Sequence, residues 1–174
     1  GGGVQTSTTI AEDDTNSAVV DAYDQNLTRT IPENLSVPAT DFAAASNQNY
    51  AVFGGGATGT RDVTAYNSYL TRTIPTGLSV KRKNLAAARA GNYVLFAGGY
   101  LSDDSGADTV EAYDLFLTRT LVEPLRLGRA RLSGTTLNEF AIFAGGVANN
   151  STDIYDPYLT RTTADALSGS NDRC

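Results

Sequence analysis

Two sets of side chains in this 174-residue sequence could do chemistry at a surface. Carboxylates gather in two segments, Glu12, Asp13 and Asp14 in the first and Asp103, Asp104 and Asp108 in the second. Oxygen donors of this kind can hold calcium, but a dedicated calcium loop alternates its carboxylates and sets a glycine at its centre. Neither segment has that spacing, so both read as solvated loop carboxylates. The second set is cationic: Lys81, Arg82 and Lys83, then Arg126, Arg129 and Arg131. These could receive an acidic partner or a glycan carboxylate, although pairing with nearby aspartates is the commoner fate of such side chains.

Signals for catalysis or a bound cofactor are weak by comparison. The sequence has no His, so imidazole cannot serve as a general base or metal ligand, and it has no Met and no Trp. Its one cysteine, Cys174, has no partner for an intrachain disulfide. Gly54-Gly55-Gly56-Ala57-Thr58-Gly59 fits the dinucleotide-binding fingerprint. A strand-like run, Val63 to Tyr66, follows where the phosphate-binding helix should start, and the match is rejected on that ground. Three Asn-x-Ser/Thr matches, at Asn26, Asn34 and Asn150, are expected by chance in a turn-rich chain and carry no weight. We expect no catalytic residues, no metal and no cofactor.

The formal net charge is -6. A nucleic-acid scaffold needs a broad cationic footprint to displace counterions, so nucleic acid is not an expected partner. No apolar run approaches the length of a membrane span, and no signal-peptide pattern is present. The first residue is not Met, which suggests a processed or excised piece.

The elements that would position these groups are legible as a repeat. Ala22-Tyr23-Asp24 followed by Leu27-Thr28-Arg29-Thr30 returns as Ala65-Tyr66-Asn67 with Leu70-Thr71-Arg72-Thr73. It returns again as Ala112-Tyr113-Asp114 with Leu117-Thr118-Arg119-Thr120, and as Ile154-Tyr155-Asp156 with Leu159-Thr160-Arg161-Thr162. Steps of about 42 to 47 residues are the period of a four-stranded blade and too long for ankyrin or leucine-rich units. Between them stand Tyr50-Ala51-Val52-Phe53-Gly54-Gly55, Tyr93-Val94-Leu95-Phe96-Ala97-Gly98-Gly99 and Phe140-Ala141-Ile142-Phe143-Ala144-Gly145-Gly146. Each is an apolar aromatic run stopped by a glycine pair, as a buried strand reads.

Small residues precede each aromatic run, at Phe42 to Ala45, Leu85 to Ala88 and Leu132 to Thr136. The unit therefore parses into four strands: small residues (A), the aromatic run (B), the run ending in Ala-Tyr-Asp (C) and Leu-Thr-Arg-Thr (D). Small residues suit a crowded axis, while Thr and Arg suit an outer edge that must not pair with other chains. Asp or Asn at the head of each C-to-D turn can accept a hydrogen bond from the backbone two residues on.

The glycine pair closing B, the Tyr-Asp closing C, and Arg82 and Arg129 a few residues before A together resemble the kelch repeat. Ala39 replaces that arginine in the first full unit, and Thr30, Thr73, Thr120 and Thr162 stand where the family carries a Trp. The resemblance implies an all-β, kelch-type β-propeller of four-stranded antiparallel blades, about three and a half of them. Residues 1–38 would be a partial blade holding strands C and D, with full blades at 39–80, 81–127 and 128–174. The Leu-Thr-Arg-Thr variant is similar to kelch-like repeats of bacteria and prophages, which favours an extracellular or virion-surface setting by analogy. Kelch-type oxidases need copper-binding His and a cross-linked Cys, and propeller sialidases need an arginine cluster with a nucleophilic Tyr. The first requirement is not met by these residues, and the second lacks support.

In place of the family Trp, Arg29, Arg72, Arg119 and Arg161 either lay their stems against the blade face or a Tyr, or stand solvated at the rim. Closed propellers carry four to eight blades, so missing blades or other chains are expected to complete the ring. The B-to-C loops vary in length while the C-to-D turns do not, and unequal insertions on one face of a repeat array map its binding face. That face would carry the two acidic segments and the two cationic ones. The resulting expectation is a non-catalytic module that meets protein or glycan, as an adhesive or decorating part of a bacterial or phage surface assembly. The alternatives are a non-catalytic segment of a larger propeller enzyme, or a structural spacer.

Overall fold

The computed structural model describes residues 3–5, 15–57, 60–147 and 149–168. Among them there is no helix, and sixteen strands form five antiparallel sheets. Three sheets have four strands in sequence order: β5 (Ala43–Ser46) to β8 (Arg72–Thr73), β9 (Ala86–Ala90) to β12 (Arg119–Leu121), and β13 (Ser133–Leu137) to β16 (Arg161–Ala164). Their middle strands are β6 (Tyr50–Gly54) and β7 (Val63–Asn67), β10 (Tyr93–Ala97) and β11 (Val110–Tyr113), and β14 (Phe140–Ala144) and β15 (Thr152–Tyr155). This is the four-strand unit expected from the repeat, in a blade-type all-β fold.

Boundaries differ in three places. The first strands begin one residue later than the small-residue runs suggest. Of Leu-Thr-Arg-Thr, only the Arg and Thr lie in the last strand, because the Leu closes the turn. Leu27, Leu70, Leu117 and Leu159 all take the left-handed backbone, with φ between 59° and 66°. The first unit is also more than strands C and D. β1 (Gly3–Gln5) pairs with β2 (Thr15–Ser17) as a ribbon of its own, ahead of the pair β3 (Ala22–Tyr23) and β4 (Arg29–Thr30).

The C-to-D turns form as their leading residue predicts. Asp24 Oδ1 accepts the backbone N–H of Asn26 and Thr28, each at 2.8 Å. Asn67, Asp114 and Asp156 repeat the pair of bonds to the residues two and four positions on. The second bond is what reaches across the left-handed Leu and fixes the hairpin register.

The first strands of the three full sheets lie side by side, β5 against β9 and β9 against β13. Small residues make this approach possible: a Cβ on Gly134 would sit 2.6 Å from the Ala87 carbonyl oxygen. β9, flanked on both sides, buries alternate alanines, whereas β13 is exposed along its length. Apolar clusters fill the spaces between neighbouring sheets, one joining Val52, Val63 and Ala65 to Phe96, Tyr113 and Leu117. A second joins Leu95, Ala112 and Leu125 to Phe143 and Tyr155. Within each full sheet the Phe of the second strand meets the Tyr of the third nearly edge-on, at centroid distances of 5.8 to 6.0 Å.

Candidate functional site

Consecutive units are joined by a linker that leaves one sheet and crosses the face of the next. Leu35, Leu78 and Leu125 are buried at equivalent points of the three linkers. Each linker's own sheet holds it through Leu35 N–H on Ala18 O, Leu78 N–H on Arg61 O and Leu125 N–H on Asp108 O. The next unit then captures it with its repeated Tyr. The hydroxyls of Tyr66, Tyr113 and Tyr155 donate to the carbonyls of Glu33, Thr76 and Glu123 at 2.7 to 2.8 Å. Burial pushes all three hydroxyls above the ordinary tyrosine range.

The repeated arginines of the last strand reach the same linkers. Arg72 donates to Asn34 O and pairs with Glu33 at 2.9 Å, and Arg119 donates to Gly77 O. Arg161 donates to the Glu123 carboxylate at 2.7 Å, a bond that raises its pKa further. These three are therefore tethers between units. Arg29 has no preceding linker among the described residues and stands half exposed beside Asp21, 3.4 Å away.

Two of the candidate partner-binding cations belong to the same framework. Arg82 and Arg129 are buried, at 1% and 2% exposure, so almost none of either side chain reaches solvent. Arg82 pairs with Glu111 at 2.6 Å and also donates to the carbonyls of Gly98 and Thr109. Its pKa is lowered, burial outweighing the attraction of Glu111. Arg129 pairs with Asp153 at 2.8 Å and donates to Phe143 O. The two acids stand immediately before Ala112-Tyr113 and Ile154-Tyr155, and Thr64 holds the equivalent place in the first full unit. The carbonyls of the arginines close the joint from the other side: Gly56 N–H donates to Arg82 O and Gly99 N–H to Arg129 O. That contact explains the glycine pair. At Gly98, with φ of 65°, a Cβ would meet the Arg129 carbonyl oxygen at 2.6 Å.

Four other candidates, Lys81, Lys83, Asp104 and Arg131, gather around Tyr100. Lys83 and Tyr100 pair through their backbones, which brings the segment before β9 against the loop after β10. Lys83 Nζ lies 3.1 Å from Asp104, and the Arg131 guanidinium lies over the Tyr100 ring, 5.8 Å from its centroid. Lys81 is exposed alongside. Lys81, Lys83, Tyr100 and Asp104, together with Arg82, Leu101 and Ser102, line a groove of about 170 Å³ that ends on the glycine turn at Gly56 and Ala57. The groove is small beside the ~300 Å³ or more of an ordinary small-molecule site, so it suits one side-chain tip or part of a sugar.

The groove's outer wall is a rigid hairpin. Leu101 N–H donates to Ser105 O, Asp104 N–H to Leu101 O and Ala107 N–H to Gly99 O. Asp103 accepts both the hydroxyl and the backbone N–H of Ser105, and the hydroxyl bond holds its carboxyl below the usual range. Asp103 is thereby committed to its own loop, while Asp108 and Arg126 are exposed and do not line the groove. Glu12, Asp13 and Asp14 lie outside the described residues. Among the described residues, no three His, Cys, Asp or Glu side chains converge as metal ligands would.

Tyr100, Leu101 and Ser102 were not singled out by residue type, since a lone Tyr in a loop carries no spacing signal. Nor was the chain of backbone bonds in which Arg131 N–H donates to Asn84 O and Asn84 N–H to Asp41 O. All three residues are left-handed, and Asp41 and Asn84 are of the types that accept that conformation most readily.

No protein-family model matches the chain, and no curated protein does. Among solved structures the one titled "Structure of YjhT" is similar, with a TM-score of 0.67 over 86% of this chain at 12% sequence identity. The chain spans about half the length of that structure, 52% of it. At such identity the likeness concerns the fold, and it agrees with the blade-type sheets described above.

Proposed function

We propose that these sheets belong to a kelch-type β-propeller acting as a non-catalytic interaction module, whose loop face meets an acidic group on a protein or glycan. The supporting observation is the groove between Lys81, Lys83, Tyr100 and Asp104, with Arg131 over the tyrosine ring. It is a local cationic site in a chain of net charge -6. An aromatic face beside flexible cations is a surface on which a carboxylate-bearing ligand gains both stacking and charge. The hairpin from Leu101 to Ser105 is already fixed by its own hydrogen bonds, so binding would order little backbone. Arg129 is buried, while Arg82, 1% exposed and held by Glu111, lines the groove. The setting on a bacterial or phage surface rests on the resemblance of the Leu-Thr-Arg-Thr repeats.

The test is a binding screen of the purified chain against carboxylate-bearing and neutral glycans and acidic peptides, repeated with Lys81→Glu and Tyr100→Ala. Signal confined to acidic ligands, weakened about tenfold or more by either substitution and by ~0.5 M salt, is expected. Absence of any acidic ligand, or binding indifferent to both substitutions, would remove the reading and leave the spacer or the segment of a larger enzyme.

A further inference from the structure

The three joints between units share one plan, so the middle joint can be compared with the other two position by position. The residue whose carbonyl holds the linker leucine is Ala18 in the first joint, Arg61 in the second and Asp108 in the third. The linker residue that receives the Tyr hydroxyl is Glu33, Thr76 and Glu123 in the same order. Three residues beyond the linker leucine stand Pro38, Lys81 and Gly128. At each of these points the middle joint either carries a cation where the others are neutral or acidic, or lacks an acid that both others have.

The missing acid leaves the repeated arginine without its linker partner. Arg72 lies 2.9 Å from Glu33 and Arg161 lies 2.7 Å from Glu123, so in the first and third joints the linker neutralises the guanidinium. Thr76 takes the place of those acids beside Arg119. The carboxylate within reach of Arg119 is Glu111, 3.9 Å away and already bonded to Arg82 and to the Ser79 N–H. Arg61 and Lys81 are exposed, and among the described residues neither is in an ion pair. Arg61 Nη1 lies 3.4 Å from the Ser79 carbonyl, which lays the guanidinium along the same linker.

These three cations wall a single groove of about 660 Å³. That volume is within the ~300–1,000 Å³ of a small-molecule site. One acid, Asp62, stands on the wall with them, so positive charge is in excess in a cleft, where the field on an anion is focused. Leu78, the one apolar side chain of the lining, is 1% exposed. The wall therefore offers the hydroxyls of Thr60 and Thr76, cations and linker backbone, but no pocket for the apolar and aromatic anchors on which peptide recognition depends. Lys81 also lines the groove beside Tyr100, so the two grooves meet at its side chain.

We propose that the groove at the middle joint, between Arg61, Lys81 and Arg119, binds an acidic oligosaccharide whose sulfate or carboxylate groups lie on neighbouring sugars. Arg61 precedes β7 and Arg119 lies on β12, so the cations come from two sheets. A ligand that spreads its charge along a chain of sugars meets both, each guanidinium presenting its paired donors to one oxyanion. This site stands on the comparison of the joints and not on what the groove beside Tyr100 binds.

The test measures binding of three tetrasaccharides to the purified chain by calorimetry: one sulfated, one of unsulfated uronic acids and one neutral. A glutamate pentapeptide and inorganic phosphate serve as further probes. Thr76→Glu restores the acid of the other two joints and should pair with Arg119 without lowering the melting temperature. Arg61→Ser removes the cation but keeps the carbonyl that holds Leu78. Tyr158→Glu, at a turn position 87% exposed, adds the same charge as Thr76→Glu away from the groove. At least one acidic tetrasaccharide should bind and the neutral one should not, the response to the two acidic sugars telling sulfate from carboxylate. Affinity should fall about tenfold or more in Thr76→Glu and in Arg61→Ser, and less than about twofold in Tyr158→Glu. Failure of both acidic tetrasaccharides to bind, or undiminished binding by Thr76→Glu, would overturn the proposal. So would a pentapeptide or phosphate that binds as tightly as the sugars. Binding that survives Thr76→Glu and Arg61→Ser but is lost in Tyr100→Ala would overturn it while leaving the proposed function standing.

Discussion

Replacing Glu111 by Leu should destabilise the protein more than any exposed substitution, and the structure gives the reason atom by atom. One carboxylate oxygen takes the Arg82 guanidinium at 2.6 Å and the other takes the Ser79 N–H, both in a fully buried place. Without the acid, Arg82 faces the carbonyls of Gly98 and Thr109 but no longer a charge of opposite sign. Breaking one partner of a buried pair costs about 3–5 kcal/mol. Arg82→Met leaves the Glu111 carboxylate buried and should cost a similar amount. The double replacement removes both charges and orphans Ser79 N–H and Gly98 O, at about 1–3 kcal/mol each. It should therefore cost about 2–6 kcal/mol, below the ~6–10 kcal/mol sum of the single effects. Urea unfolding reads this directly: with a slope near ~2 kcal/mol per molar, each single variant should shift the midpoint by about 2 M. Additivity of the two substitutions within about 0.5 kcal/mol would refute the coupling, because uncoupled sites add to that precision.

Two further expectations follow from the joints and turns. Burial, followed by the charge of Glu111 or Asp153, raises the hydroxyl pKa of Tyr113 and Tyr155. The native state therefore holds the proton more tightly than the unfolded chain. That stability is complete below the unfolded value near ~10 and is lost as pH rises through the higher native value. The melting temperature should fall steeply above pH ~10. Tyr113→Phe should flatten that limb while costing about 1–3 kcal/mol at neutral pH, and a limb of unchanged slope would contradict it. Leu27→Gly should be neutral or stabilising by up to about 1 kcal/mol, since relief of the left-handed backbone offsets the entropy of glycine and the side chain is exposed. Leu117→Gly, at a buried copy of the same turn, should cost about 2–4 kcal/mol, and equal effects in the two melts would show that the turn geometry, not burial, governs the position.

The sheets were readable because their signals are local. A glycine pair ends an aromatic strand, an Asp or Asn opens a hairpin, and the period follows from the spacing of Tyr residues. The left-handed Leu was not readable, because nothing about Leu favours that conformation; a side-chain bond from Asp114 to the backbone four residues on holds it there. Arg82 and Arg129 were legible as a recurrent feature but not as buried, since the acids that neutralise them lie 29 and 24 residues further on. One of the pairs uses Glu and the other Asp, which hides the correspondence. The groove was legible only on its cationic side, where Lys81 to Lys83 stand together. Its aromatic side is Tyr100, brought in by a backbone bridge that no composition rule marks.

The way the units are joined bears on how such a protein can vary its binding face. The Tyr recognises each linker through a carbonyl, that of Glu33, Thr76 or Glu123, so its bond survives a change of side chain there, while Arg72 and Arg161 add a charge pair where that side chain is Glu. The buried pairs and glycine turns lie beneath the loops, not in them. The hairpin tip from Leu101 to Ser105 can thus carry its own residues without disturbing the joint, whereas Gly106, where a Cβ would sit 2.8 Å from the Arg129 backbone, cannot change. The same construction makes stability uneven. Each unit is held by the linker before it as well as by its own sheet, so stability in such an array is close to a sum over neighbours. Loosening a linker should therefore lower the stability of the unit that receives it more than that of the unit two sheets away.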